Sequence, residues 1–118
     1  MSNLRKQNVH ESYFFDAVLD VIYSQKLQDI IIYKGNDSMT YNNVIISTAN
    51  SNTQMNGVVK KLEDIVKNKS NLNVEGKDST WLLIEVKEIL IHIFNNDSRK
   101  FYELEDIYFD CELIYQYG

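Results

Sequence analysis

A mostly apolar stretch runs from residue 81 to residue 94 and is interrupted once, by the polar segment 85–88. Two apolar runs joined by a short polar segment are typical of a hairpin buried in a sheet. Polar residues 95–98 follow, and their side-chain oxygens can cap a short helix that begins near Arg99. The pattern therefore predicts a β-hairpin, a polar break and a short helix between Thr80 and Tyr108.

Two amphipathic helices are predicted upstream of this hairpin. Asn8 and Glu11 have the spacing of a capping box, so the first helix should cover about residues 9 to 25. A second helix follows loop and cap oxygens at residues 48–51. The apolar positions of both helices recur at helical spacing: they are Phe14, Ala17, Val18, Val21 and Ile22 in the first, and Met55, Val58, Val59, Leu62, Ile65 and Val66 in the second.

Short apolar runs rich in β-branched residues predict further strands at 30–33 and 43–47, and a short strand is expected at 72–75, before the turn at 76–79. The order of elements is helix, strand, strand, helix, strand, hairpin, helix. It favours an α/β fold in which helices cover a mixed β-sheet. We predict a flexible N-terminus at 1–8, one domain at 9–109 and a loosely packed C-terminal tail at 110–118.

Size and composition restrict the class of protein. The chain has 118 residues, of which 44% are hydrophobic and 25% charged, which suits one globular domain and argues against a disordered chain. No apolar run approaches the ~18 residues of a membrane span, and the first residues lack a signal-peptide pattern. A single cysteine, Cys111, agrees with a reducing compartment. We therefore expect a cytoplasmic protein that does not bind membranes.

The charge balance bears on partners. With 17 acidic and 12 basic residues, the net charge is −5. Binding to a phosphate backbone depends on Lys and Arg, so we expect no direct grip on nucleic acid. An acidic domain suits a basic protein partner, or no charged partner at all.

Residues able to perform catalysis are sparse. His92 alternates with Ile91 and Ile93, which places it on the sheet face of Leu90 and Phe94 as a structural histidine or as part of a binding surface. Glu85 and Glu88 flank the hairpin turn, where solvated carboxylates are more common than an acid and base pair. The segment 35–38 has only a weak similarity to a nucleotidyl-transfer loop. We predict no metal and no cofactor.

Several polar and aromatic residues near the hairpin are not explained by packing alone. Trp81 opens a strand, where its ring suits a core or an interface equally. Arg99, Tyr102 and Glu105 lie on one face of the predicted short helix, opposite Phe101, Leu104 and Tyr108. This composition is typical of interface hot spots, and the alternative is a solvated outer helix face.

The spacing of these residues resembles the ribosomal silencing factor family, also called the Iojap or RsfS family. The similarity covers residues 9 to 109, and its most specific part is the C-terminal set. That set consists of Trp81, His92, Ser98, Arg99, Tyr102, Leu104 and Glu105. Further matches are Asp29, Ile30, Ser38, Val44, Ile45, Thr48, Ser51, Glu75 and Gly76.

The resemblance implies a small α/β domain with nucleotidyltransferase-like topology but without catalytic residues. It also implies binding to the large ribosomal subunit through ribosomal protein L14, which blocks subunit joining when nutrients are scarce. Carried over to this chain, the partner-binding residues would be Trp81, His92, Arg99, Tyr102 and Glu105. Exposed Trp81 and Tyr102 would also offer a surface to a homodimer of the free protein.

Four positions depart from the family pattern. The family usually has an acidic residue at Asn42, a basic residue at Thr53, Asp-x-Gly-Asp at residues 85–88 and Trp at Tyr108. Lys87 replaces the turn glycine, and a lysine resists the positive φ of a tight hairpin turn. An enzyme acting on nucleotides or RNA is the alternative reading. Binding of a metal or nucleotide would favour it, whereas co-sedimentation with large subunits would favour the silencing factor.

Overall fold

The computed structural model describes residues 2–99 and 104–117. It contains one six-stranded mixed sheet in the order β3-β4-β5-β2-β1-β6. The strands are β1 (Gln28–Lys34), β2 (Asn43–Ala49), β3 (Leu72–Glu75), β4 (Trp81–Val86), β5 (Ile89–Asn95) and β6 (Glu112–Tyr117). The helices are α1 (Ser2–Ser24), α2 (Asn52–Ile65), α3 (Asn96–Arg99) and α4 (Leu104–Ile107), and a 3₁₀ turn spans Lys69–Asn71.

The predicted α/β architecture is confirmed. β2 and β5 pair in parallel at the centre of the sheet, and the other four pairings are antiparallel. A parallel pair needs a long connection, which α2, β3 and β4 provide here. The predicted hairpin is present as β4 and β5, and the predicted short strand is β3.

The main core lies between the sheet and the two long helices. Strand side chains that point to this side alternate with those that point away, as the period of two requires. α2 begins after Ser51, whose hydroxyl accepts a 3.2 Å hydrogen bond from the Gln54 amide, and so ends the preceding loop. The helix buries Met55, Val58, Val59 and Leu62, four of its predicted apolar positions.

Two helix boundaries differ from the sequence predictions. The first helix begins at Ser2 and not near residue 9, so the predicted capping box lies inside it. The prediction placed the helix start at the capping box, although residues 4–7 have high helix propensity and extend the helix towards the N-terminus. α3 begins at Asn96 and not near Arg99, because the Asn95 side chain accepts a hydrogen bond from the Ser98 amide, 2.8 Å away.

The prediction of a loosely packed tail at 110–118 is wrong. Residues 112–117 form β6, which pairs antiparallel with β1 and forms an outer edge of the sheet. A bulge interrupts this pairing, because Tyr115 lies opposite Ile32 while Leu113 lies opposite Tyr33. Ile114 is therefore the extra residue of the bulge.

Candidate partner-binding site

The sheet face opposite the long helices carries a second apolar cluster, to which α1 and α2 contribute none of their described side chains. Its centre is formed by four stacked or tilted rings, which we call the aromatic cluster: Trp81, His92, Phe94 and Tyr108. Trp81 lies opposite Phe94 in register, and the two ring centroids are 5.1 Å apart. Such stacking fixes the plane of a partly buried indole.

The turn before β4 sets the position of Trp81. Gly76 has φ of +82°, and a Cβ at this position would collide with the carbonyl oxygen of Trp81. Only glycine allows this close approach at little cost. The Ser79 hydroxyl donates to the Gly76 carbonyl over 2.6 Å and accepts from the Trp81 amide over 3.2 Å. Gly76, which matches the family pattern, and Ser79 therefore set the position of the tryptophan.

A chain of hydrogen bonds connects Trp81 to Tyr108 through His92. The indole Nε1 of Trp81 donates to Nδ1 of His92 over 3.2 Å, and Nε2 of His92 lies 2.9 Å from the Tyr108 hydroxyl. Since an indole can only donate, Nδ1 must be the acceptor and the ring proton must lie on Nε2. His92 Nε2 therefore donates to the Tyr108 oxygen. The geometry selects one tautomer of a neutral imidazole.

Burial keeps His92 uncharged. The side chain is 5% exposed, and its desolvation, with a smaller effect of the Arg99 charge, lowers its pKa from 6.5 to about 4. The backbone is held too, because the Ser47 hydroxyl donates to the His92 carbonyl oxygen over 3.2 Å. A neutral, fixed imidazole can orient Trp81 but is not accessible enough to touch a large partner itself.

Arg99 connects α3 to strands β1 and β2 by hydrogen bonds. Its Nη1 donates to the Thr48 hydroxyl over 3.0 Å and to the Asp29 carbonyl over 3.2 Å. Thr48 is 2% exposed and lies opposite Phe94 in the parallel pairing. The guanidinium thus joins the ends of β1 and β2 to the helix that follows β5. It is only partly buried and can also face a partner.

The glycine-free hairpin turn adopts the conformation that its sequence disfavours. Lys87 has φ of +51°, in the left-handed region that favours glycine. Two contacts compensate for the strain: the Lys87 amide donates to the Asn71 carbonyl over 2.9 Å, and its ammonium lies 4.0 Å from the centre of the Phe14 ring.

The two glutamates of the turn have separate partners and do not form a pair. The Asn42 side-chain amide donates to the Glu88 carboxylate, and the Asn42 main-chain amide donates to the Glu88 carbonyl over 2.7 Å. A carboxylate at 42, as in the family pattern, could not donate this hydrogen bond, so the contact with Glu88 depends on the amide of Asn42. Burial and then a hydrogen bond to Glu85 raise the pKa of Tyr41.

The segment that resembles a nucleotidyl-transfer loop is an ordinary turn. The side-chain oxygen of Asn36 accepts hydrogen bonds from the amide and the hydroxyl of Ser38, so these polar groups are paired with each other within the turn. Within residues 2–99 and 104–117, no three His, Cys, Asp or Glu side chains meet in a group that could hold a metal ion.

Of the five predicted partner-binding residues, the structure brings Trp81 and His92 into direct contact and places Arg99 on the adjoining helix. Tyr102 lies outside the described residues, as does the predicted core residue Phe101. Glu105 falls within α4, but its side chain and that of Leu104 are likewise outside the description.

Tyr108 is the site residue that the sequence analysis missed. It was expected on the buried side of a helix and is indeed 8% exposed, but it follows α4 in a turn, and its hydroxyl oxygen accepts the hydrogen bond from Nε2 of His92. The available signal was the family's aromatic residue at this position. Tyr33 packs against its ring, with 5.6 Å between the ring centroids.

These features define a small mixed-sheet α/β domain whose candidate site is a hydrogen-bonded aromatic cluster on the sheet face opposite the long helices. Residues 7–117 match the family described as ribosomal silencing factor during starvation, and the chain belongs to this family.

Named relatives agree with this assignment. The chain is 35% identical over 66 residues to the chloroplast protein Iojap of Zea mays, covering 54% of this chain and 29% of that protein. It is 26% identical over 98 residues to the ribosomal silencing factor RsfS of Haemophilus influenzae, covering 79% of this chain and 95% of that protein. The matched stretch therefore spans less than a third of the plant protein's length.

Solved structures share the fold. A crystal structure of a Bacillus halodurans protein superposes with a TM-score of 0.70 at 17% identity, over 88% of this chain and 98% of that one. A Chromobacterium violaceum protein gives 0.69 at 21% identity, over 81% and 83%. In the described part of the chain, the search for a helix of sufficient length and hydropathy to cross a bilayer finds none.

Proposed function

We propose that this protein binds the large ribosomal subunit through ribosomal protein L14 and blocks subunit joining, which represses translation when nutrients are limiting. Family membership supports the general role. The observation that carries the proposal at this chain's own residues is the fixed Trp81: a partly buried indole, stacked on Phe94 and hydrogen-bonded by a buried histidine.

A preorganised aromatic side chain is an effective anchor for a protein partner. Tryptophan, tyrosine and arginine dominate interface hot spots, and an anchor already held in place loses little conformational freedom on binding. In this proposal Trp81 contacts the partner, His92 lies beneath it as a positioning residue, and Arg99 holds α3 beside it. Tyr102 and Glu105 complete the proposed contact surface on the strength of the family resemblance.

The mechanism requires only steric exclusion. A domain that occupies the joining face of the large subunit must dissociate before the small subunit can bind there, so its binding free energy opposes joining. No catalytic step is needed, and we propose that the protein is not an enzyme. The net charge of −5 would favour encounter with a basic ribosomal protein and disfavour direct contact with RNA. Its cytoplasmic location stays a prediction.

The experiment compares Trp81→Ala with Tyr13→Ala, which removes a 70% exposed aromatic side chain from α1. Purified variants are sedimented with isolated large subunits, and subunit joining is followed by light scattering. We expect Trp81→Ala to weaken binding by at least tenfold, in the range of an interface hot spot, and to relieve the block on joining. Tyr13→Ala should behave as the unmodified chain does.

Two controls keep the result interpretable. Thermal unfolding shows whether Trp81→Ala is folded at the assay temperature, and Trp81→Phe, which retains the ring, should bind with intermediate affinity. Direct titration with isolated ribosomal protein L14 tests the named partner. Unaltered large-subunit binding by a folded Trp81→Ala variant would refute the site, and binding to large subunits without binding to ribosomal protein L14 would refute the partner.

A further inference from the structure

The edge strand β6 exposes apolar side chains that the aromatic cluster does not use. Leu113, Ile114 and Tyr115 are consecutive in this strand and are 51%, 49% and 39% exposed. Phe109, in the turn that leads into the strand, is 82% exposed. Exposed apolar residues along an open strand edge are uncommon in a monomer, because such an edge can pair with another chain. We call these four residues the β6 edge surface.

The charged side chains in the segment that contains the β6 edge surface are acidic. Residues 106–116, whose side chains the structure describes, contain three acidic residues, Asp106, Asp110 and Glu112, and no basic one. Asp106 and Glu112 are exposed there. Lys34 lies opposite Glu112 in the pairing with β1. An acidic surface with apolar side chains disfavours nucleic acid and anionic membranes.

We propose that the β6 edge surface is a second binding surface, occupied by a basic polypeptide segment that lies extended along β6. Its apolar side chains would contact Leu113, Ile114 and Tyr115, and its Lys or Arg side chains would meet the surrounding carboxylates. Extended peptides commonly bind to the open edge of a sheet in this manner. The proposal goes beyond the proposed function and does not depend on it.

A second copy of this chain is a poorer occupant for two reasons. Two identical edges would bring their acidic segments together, and like charges at an interface oppose association. The bulge at Ile114 also bends the strand, which is a device that discourages regular pairing between identical edges. A basic segment of another protein meets neither obstacle to the same extent, because its charge is opposite and its conformation can adapt.

The two surfaces can be occupied at once. β6 is four strands away from β4, which carries Trp81, so about 19 Å of sheet separates them at a spacing of about 4.8 Å per strand. A partner on the β6 edge surface would therefore leave the indole accessible.

The test uses the full chain and a fluorescent peptide of about ten residues in which lysine alternates with valine, long enough for one strand. We expect saturable binding that weakens with added salt, and slower hydrogen exchange at the amides of β6. The same peptide with glutamate in place of lysine should bind at least tenfold more weakly. Equal binding of both peptides would overturn the proposal.

Matched variants locate the surface. Asp106→Asn with Glu112→Gln should weaken peptide binding roughly three- to tenfold, whereas Glu63→Gln with Asp64→Asn, which removes two exposed carboxylates from α2, should not. Ile114→Ser should also weaken it, and Tyr13→Ser should not. Loss of binding in Trp81→Ala would assign the peptide to the aromatic cluster instead. Concentration-dependent dimerisation that protects β6 without peptide would overturn the proposal in favour of a second copy.

Discussion

The indole nitrogen of Trp81 donates its proton to Nδ1 of His92, which lies on the neighbouring strand and is itself buried. The bond dictates the tautomer of the imidazole and so the direction of the second bond, from Nε2 to Tyr108. A partly buried tryptophan and a buried tyrosine are thereby linked through one ring.

Trp81→Phe tests this link directly. Phenylalanine retains stacking on Phe94 but removes the donor, which leaves Nδ1 of a buried histidine without its partner. We expect a loss of about 1–2 kcal/mol in the free energy of unfolding, measured by urea denaturation. Nitrogen NMR of the His92 ring should show a single Nε2–H tautomer in the unmodified chain and a mixture in the variant.

Tyr108→Phe tests the second hydrogen bond of the chain, between His92 and Tyr108. It removes the hydroxyl that accepts the hydrogen bond from Nε2 of His92. We expect the double variant to lose less free energy of unfolding than the sum of the two single losses, by about 0.5 kcal/mol or more, because both hydrogen bonds depend on one ring orientation. Tyr13→Phe, at an exposed position, serves as the control. Strict additivity together with an unaltered ring tautomer would contradict the coupling.

Acid should destabilise the protein through His92. The pKa of this histidine is about 4 when folded and 6.5 in an ordinary environment, so between these values the unfolded chain binds more protons than the folded one. Stability from this group is complete above about pH 6.5 and is lost as the pH falls towards 4, by roughly 3 kcal/mol at most. Urea denaturation of the unmodified chain and His92→Gln at pH 7 and pH 4.5 measures the difference.

The variant makes this pH effect specific, since the carboxylates titrate in both proteins. We expect the free energy of unfolding of His92→Gln to fall less on acidification than that of the unmodified chain. Parallel pH dependences in the two proteins would mean that the histidine is readily protonated in the fold, contrary to its burial.

Lys87→Gly probes the strained hairpin turn. Glycine relieves the positive φ, worth about 1 kcal/mol, but removes the contact with the Phe14 ring, worth roughly 0.5–1 kcal/mol. We therefore expect a net change within about 0.5 kcal/mol. In a Phe14→Leu background only the relief remains, and the same substitution should stabilise the protein by about 1 kcal/mol. Urea denaturation of the four proteins completes the cycle, and equal effects in both backgrounds would exclude a role for the ring.

Arg99→Gln should loosen the attachment of α3. It removes the guanidinium that donates to the Thr48 hydroxyl and the Asp29 carbonyl, and we expect a loss of about 1–2 kcal/mol. Because the Arg99 charge also lowers the pKa of His92, the variant should raise that pKa, which NMR titration measures. Arg99→Lys keeps the charge and should leave the pKa nearly unaltered. A stability loss without any pKa change in Arg99→Gln would show that the charge does not act on the histidine.

The sequence predicted those helices and strands that are determined by residues close together in the chain. The hairpin, α2 and β3 follow from apolar periodicity and turn chemistry over a few residues, and the structure places them as expected. β6 escaped prediction because its pairing with β1 joins residues far apart in sequence, and only that pairing distinguishes a strand from an aromatic tail. The positive φ of Lys87 was predicted to be unfavourable. The compensating contact with Phe14 could not be predicted, because the two residues are far apart in sequence.

The geometry of the candidate site could be predicted only in part, for the same reason. Trp81, His92 and Arg99 were identified by spacing and resemblance, whereas the direction of each hydrogen bond depends on register between strands. Tyr108 could be expected to be buried from its helical position, but its hydroxyl becomes part of the site only because a turn returns the chain to β5.

The order of strands in the sheet also determines when each surface can exist during synthesis. β4 and β5 are joined by two residues and can pair as soon as both have been made, so the contact between Trp81 and His92 belongs to the most local part of the fold. β6 must find β1 across roughly 80 residues of chain and should pair late. The chain would thus form the contact between Trp81 and His92 first and the β6 edge last, an order that pulsed hydrogen exchange during refolding can follow.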